Sequence, residues 1–159
     1  MAQSTRLTDA PATIMAPLLP PPPRSRLRLT PGGVGRGVMD GGWWPRSRDA
    51  ATELTFLVTD LAERPGTAAS RLIVDIDDWD RVPVRIAVLG REIEVGRLPR
   101  LDHMVTVADG HAEPLLLLVV PPETHPASAE AALVRAAAGV GFALPEEILA
   151  SCDISTARP

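Results

Sequence analysis

Six consecutive residues, Trp43-Trp44-Pro45-Arg46-Ser47-Arg48, set two indoles beside two guanidinium groups in a chain with three tryptophans and no tyrosine. An aromatic plane next to guanidinium groups suits stacking on a nucleobase with phosphate contact, and it equally suits a protein–protein hot spot. Adjacent side chains on an extended backbone point to opposite sides. One of Trp43 and Trp44 is therefore expected beneath the helix that follows, and the other on the surface beside Arg46 and Arg48. The alternative is structural: both indoles buried, with Arg46 or Arg48 paired to Asp40 or Asp49.

Other groupings carry less chemistry. Asp75, Asp77, Asp78 and Asp80 surround Trp79 and could face a hard cation, but the glycine at position six and glutamate at position twelve of a calcium loop are missing. Strand alternation running into a polar turn accounts for these acids, and it leaves Trp79 in a turn open to water. His103, His111, His125 and Cys152 are separated by seven, thirteen and twenty-six residues, with no close pair of the structural zinc kind. Neither a metal nor a cofactor is expected. Asp102-His103 and Ser47 have the right types for a nucleophilic triad, yet nothing in the spacing brings them together, and no Gly-x-Ser-x-Gly elbow occurs. Glu92 and Glu94 share a strand face as solvated ladder residues. Gly33-Val34-Gly35-Arg36-Gly37 lacks the Gly-Lys-Ser/Thr ending of a phosphate loop and reads as a flexible loop. No enzyme class is supported.

The elements that must position these residues follow from periodicity. Arg26–Thr30 alternates Arg and Leu as a short strand. Ser47 as N-cap and Asp49 in the first turn open a long helix, on which Ala50, Leu54, Leu57, Val58 and Leu61 form one apolar stripe that ends at Arg64-Pro65-Gly66. The period then changes to two. Leu72, Val74 and Ile76 share one strand face, and Val84–Leu89 and Glu92–Val95 flank a hairpin turn at Gly90-Arg91. Met104–Ala108 and Leu115–Val120 flank Asp109-Gly110. Leu115–Val120 is apolar on both faces, as a central strand is. An Ala-rich helix over 127–138 and a short one from Pro145 to about Ser151 complete the chain. The expected fold is α+β: a single, curled, mainly antiparallel sheet of five to six strands, one long helix after the Trp-Trp segment and C-terminal helices, with the helices on one face.

Length and composition bound the rest. A chain of 159 residues with 45% apolar content has room for one core. Every cation is Arg, which together with abundant Ala, Gly and Pro reads as a coding bias. Net charge is −4 but uneven: residues 24–48 hold Arg24, Arg26, Arg28, Arg36, Arg46 and Arg48 against Asp40, while residues 49–159 carry −9. Such asymmetry points to a phosphate-bearing or acidic partner, or to a basic arm lying on the protein's own acidic body. One cysteine excludes a disulfide framework and fits a reducing cytoplasm. The longest apolar run, Leu115–Val120, is far too short to span a membrane. Residues 1–25, ending beyond Pro20-Pro21-Pro22-Pro23, read as a disordered proline-rich leader without a signal sequence, 26–151 as one domain and 152–159 as a flexible tail.

The run from Asp40 to Asp49, Asp-Gly-Gly-Trp-Trp-Pro-Arg-Ser-Arg-Asp, resembles the DGxWWPRSRD signature of an uncharacterised actinobacterial domain family of unknown function. Trp79 and Leu117-Leu118-Val119-Val120-Pro121-Pro122 follow in that family's order, and Asp102–Val107 is similar to its H-x-V region. The resemblance covers about residues 26–135. It implies a single fold and a cytoplasmic location, and it brings no activity, cofactor or catalytic residue. The combined expectation is a binding or regulatory module. Asp40, Trp43, Trp44, Arg46, Arg48, Trp79 and His103 are its candidate site, and its partner is a protein or a nucleic acid. The alternatives are an enzyme with a pocket beside Trp43 or Trp44 that uses Asp40 and His103, and a homo-oligomer joined through a sheet edge.

Overall fold

The computed structural model describes residues 26–31, 39–64, 69–99, 101–109, 113–138 and 144–155. The leader, the Gly33–Gly37 run, Gly110 and His111 lie outside these. The described elements run β1 (Arg26–Leu29), β2 (Gly41–Trp44), α1 (Ala50–Ala62), β3 (Arg71–Asp75), a 3-10 turn (Ile76–Asp78), β4 (Arg85–Val88), β5 (Arg91–Leu98), β6 (Met104–Ala108), β7 (Leu115–Val119), α2 (Pro126–Ala136) and α3 (Pro145–Ser151).

The class is α+β. Among the described residues the strands make one open sheet of seven, not five or six, in the order β1-β2-β7-β6-β3-β5-β4. The added strand is β2. Gly-Gly-Trp-Trp carries no period-two signal because both of its faces are buried. The sheet is also mixed: β2–β7 and β3–β5 are parallel, and the other four pairings are antiparallel. Leu115–Val119 does take an inner place, between β2 and β6. At the β4–β5 hairpin the two loop residues are Leu89 and Gly90, with φ of 52° and 77°. Glycine is thus second in the turn instead of first, and two positive φ values are what a type I′ turn needs. Ile76 has left the β3 face for the 3-10 turn and is exposed.

Helices cover both faces of the sheet, which corrects the one-sided arrangement. The stripe Ala50, Leu54, Leu57, Val58 and Leu61 packs α1 onto one face with Leu72, Val74, Ile93, Val105 and Leu117. On the other face Ala129, Ala132, Leu133 and Ala136 of α2, with Ile148 and Leu149 of α3, cover Leu118, Val120 and Trp44. Cys152 and Ile154, which the sequence reading puts in a tail, are buried in this second layer.

The paired glycines of β2 allow these close approaches. A Cβ on Gly41 would lie 2.3 Å from the carbonyl oxygen of Arg28, and one on Gly42 would lie 3.0 Å from Leu133 Cδ2 and 3.1 Å from Ala136 Cβ. Gly42→Val is expected to lift α2 from the sheet and cost about 1–3 kcal/mol. Gly41→Ala, which meets backbone, should cost more. Urea midpoints measure both, and an unchanged midpoint for Gly42→Val would mean that α2 does not rest on β2.

Candidate functional site

Much of the Asp40–Asp49 signature holds the fold together. Asp40 is buried, and its Oδ2 accepts the Leu116 N–H at 2.9 Å. Its own N–H donates to the Leu116 carbonyl at 2.7 Å, while its carbonyl accepts from Thr30 N–H at 2.9 Å. One acid therefore ties β2 to both neighbours.

Neither adjacent indole lies on the surface. Alternation does send Trp43 and Trp44 to opposite sides, but each side has its own helix layer: Trp43 enters the α1 core and Trp44 the α2–α3 core. Trp79 is buried as well, stacked on Trp43 with ring centroids 5.5 Å apart and planes at 30°. The wet turn expected around it is closed by this stack, worth about 0.5–1.5 kcal/mol beyond its buried area. The guanidinium of Arg26 lies 3.4 Å over the Trp44 ring, and its Nε donates to the Trp44 carbonyl at 3.1 Å. Part of the basic arm thus covers the protein's own aromatic. Arg28 pairs with Glu130 of α2.

The start of α1 is built on Glu53. This buried carboxylate accepts the Arg46 N–H at 3.0 Å and the Ser47 hydroxyl at 2.9 Å. Ser47 is consequently not the N-cap; Asp49 occupies that position and accepts the Thr52 hydroxyl at 2.7 Å. The Arg46 side chain is exposed. Arg48 turns the other way, donating to the Asp78 carbonyl at 2.9 Å and to Glu123 at 2.7 Å.

That direction leads to a cleft. Pro45, Arg48, Asp78, Trp79, His103, Val119, Pro121, Pro122, Glu123 and Ser155 line a shallow cleft that encloses only about 20 Å³ and opens to solvent. It sits where β2, β3 and β7, which all point the same way, end. Open sheets with parallel strands commonly bind ligands beyond their carboxyl ends. Arg48, Trp79 and His103 of the expected site meet here; Asp40, Trp43 and Trp44 belong to the interior, and Arg46 lies outside the lining. Asp78, Glu123, Ser155 and the prolines are additions. Pro121-Pro122 is visible in sequence as a strand stop, but its role at a carboxyl edge depends on parallel pairing that periodicity does not report.

His103 takes a left-handed backbone at this edge. Its φ is 59°, in the left-handed region that favours glycine and, among other residues, Asn, Asp and His. The Met104 N–H donates to the Leu101 carbonyl at 3.1 Å, so His103 takes the third place of a tight turn. Its N–H donates to Asp78 Oδ2 at 3.1 Å and its carbonyl accepts from Val119 N–H at 2.8 Å. Its imidazole Nδ1 is 4.0 Å from Asp78 Oδ1. The backbone is pinned on both sides while the ring is left at the cleft.

Of the remaining groups, His125 Nδ1 accepts the Ala127 N–H at 3.2 Å as the N-cap of α2, and Cys152 is buried. No set of three metal-ligating side chains comes together among the described residues. Glu94 faces Arg71 at 3.6 Å on the exposed sheet face. No described helix is long and apolar enough to cross a membrane.

With this geometry, the chain belongs to a family of unknown function, DUF5994, whose model matches residues 26–136. The match runs from β1 through α2 and so includes the sheet, the signature and every cleft residue except Ser155. No curated protein and no solved structure shows a significant match to the chain.

Asp75, at the end of β3, is fully buried; its Oδ1 accepts the Asp77 N–H at 2.8 Å, and its Oδ2 has no partner in hydrogen-bonding geometry among the described residues. Its pKa is raised to about 6, chiefly by burial; the Asp77 N–H opposes this, while sharing of a proton with the Asp102 carboxyl and the charges of Asp78 and Asp102 add to it. Because the folded pKa lies above the unfolded one, this group's contribution is complete below about pH 4 and is lost as pH rises through about 6. Asp75→Asn keeps the acceptor and removes the charge. Thermal unfolding at pH 5 and pH 8 should show the variant gaining stability chiefly at pH 8, by up to about 3 kcal/mol. An unchanged difference between the two pH values would show that Asp75 does not carry this strain.

Proposed function

We propose that this domain is a binding module whose ligand occupies the cleft at the carboxyl edge of β2, β3 and β7. The observation that carries this is the placement of His103: hydrogen bonds to Asp78 and Val119 fix its backbone while its ring stands at the cleft. The left-handed backbone, which Leu89 and Asp153 also adopt, costs of order 1 kcal/mol, and at His103 it sets the ring in one place. Here that place is an open cleft with a fixed guanidinium, a buried carboxylate and apolar walls, the mixture expected of a ligand site. The buried indoles offer no stacking platform, so the Arg/Trp segment contributes Arg48 and Pro45 to the cleft, and Trp79 joins them from the end of the 3-10 turn.

The experiment separates strain from function. His103→Gly relieves the backbone and deletes the ring, so its melting temperature should stay within a few degrees of the parent. Screening a small-molecule fragment set by amide and indole NMR should give ligands that shift Trp79, His103 and Glu123 in the parent and not in His103→Gly. A clear loss of stability in the variant, or fragments that bind both proteins alike, would assign His103 to the fold.

A further inference from the structure

We infer that the cleft takes a carboxylate carried on an apolar body, and that Glu123 occupies the carboxylate position until such a ligand displaces it. This rests on the reading of the cleft as the binding site and adds the chemistry of the occupant.

Three features carry it. First, Arg48 is oriented by the backbone: its NH1 donates to the Asp78 carbonyl at 2.9 Å, a bond that survives if the partner on NH2 is exchanged. The side chain is only 27% exposed, so the planar donor fork is presented from a partly desolvated wall. Second, the group on NH2 is a carboxylate. Glu123 Oε1 sits 2.7 Å away, and the Glu123 side chain is 65% exposed. It stands in the tight turn closed by Thr124 N–H to the Pro121 carbonyl at 3.1 Å, between β7 and α2. With its carboxylate side 65% exposed, this pair is open to exchange with solvent and ligand. Third, Pro45, Trp79, Val119, Pro121 and Pro122 give the lining an apolar side, beside the polar Asp78, His103 and Ser155.

The charge balance selects among oxyanions. The charged side chains around the carboxylate position are Arg48, Asp78 and Glu123. A monoanion can replace Glu123 on Arg48 with no change of total charge inside. A phosphate dianion would add one more negative charge beside Asp78 and is disfavoured. A ligand cation would find Asp78 already accepting the His103 N–H and Glu123 already held by Arg48.

The test uses a six-carbon series on the full chain: hexanoate, hexanol, hexylamine and hexyl phosphate, titrated while the amide and indole NMR signals of the cleft residues are followed. Hexanoate is expected to shift Arg48, Trp79 and Glu123 and to bind more tightly than the other three. Glu123→Gln removes the internal competitor and should tighten hexanoate by up to about fivefold while leaving hexanol unchanged. Arg48→Gln should abolish the preference for hexanoate. Circular dichroism checks that this variant folds, and if it does not, Glu123→Gln decides. Equal binding of hexanoate and hexanol at the cleft, preference for the amine or the phosphate, or a Glu123→Gln variant with unchanged hexanoate affinity would overturn the inference while leaving the cleft a binding site. If none of the four shifts any cleft residue in the parent or in Glu123→Gln, the inference and the reading beneath it fall together.

Discussion

A four-residue strand with no exposed face is the constraint on which the rest of the structure depends. β2 is buried along its whole length, between β1 and β7 in the sheet and between α1 and α2 across it. The two demands are opposite: the first half must be thin enough for backbone and helix to come close, and the second half must fill the space between layers. Gly41-Gly42 followed by Trp43-Trp44 answers both. Since side chains alternate, each layer receives one glycine and one tryptophan from the same strand.

Burying β2 leaves polar groups that must be satisfied away from water, and the residues flanking it do this work. Asp40 closes the near end by bonding the backbones of Thr30 and Leu116. At the far end Arg26 covers the Trp44 ring and bonds its carbonyl, and Glu53 gathers the Arg46 N–H and the Ser47 hydroxyl. Of the signature's charged residues Asp40 is an internal fastener, whereas Arg46 and Asp49 are exposed and Arg48 reaches the cleft; Arg26 and Glu53, outside the signature, complete the fastening. Trp43 Nε1 and Trp44 Nε1 are exceptions, buried with no hydrogen-bond partner among the described residues.

This explains what was legible beforehand. α1 could be read because its stripe faces one layer and its opposite face meets water, so the 3.6-residue period survives. The β4–β5 and β6–β7 pairs could be read because strands close in sequence pair antiparallel. β2 could not, since a strand buried on both faces has no polar alternation, and two glycines lower its apparent strand character. Missing β2 hid the parallel pairing with β7, and with it the two-sided helix packing and the location of a carboxyl edge. The indoles drew attention for a sound reason, their rarity, but rarity does not distinguish a surface anchor from a filler between layers. His103 and Arg48 were legible as chemistry; that they share a cleft with Glu123, seventy-five residues from Arg48, depends on the strand order.

The same constraint produces the edge that the cleft occupies. With β2, β7 and β3 pointing one way, their ends at Pro45, Pro121 and the 3-10 turn come together, and the prolines remove backbone donors that would otherwise invite further strand pairing. The chain leaves each strand there, so side chains from three distant segments meet without a dedicated scaffold. Asp78 links them: its carbonyl orients Arg48, its carboxylate holds the His103 backbone, and the neighbouring Trp79 ring joins the core through Trp43. A residue joined in this way to both the interior and the cleft makes the geometry of the edge a consequence of core packing. Disturbing the Trp43–Trp79 stack would therefore displace Arg48 and His103 even though neither touches Trp43's side of the sheet as a ligand contact.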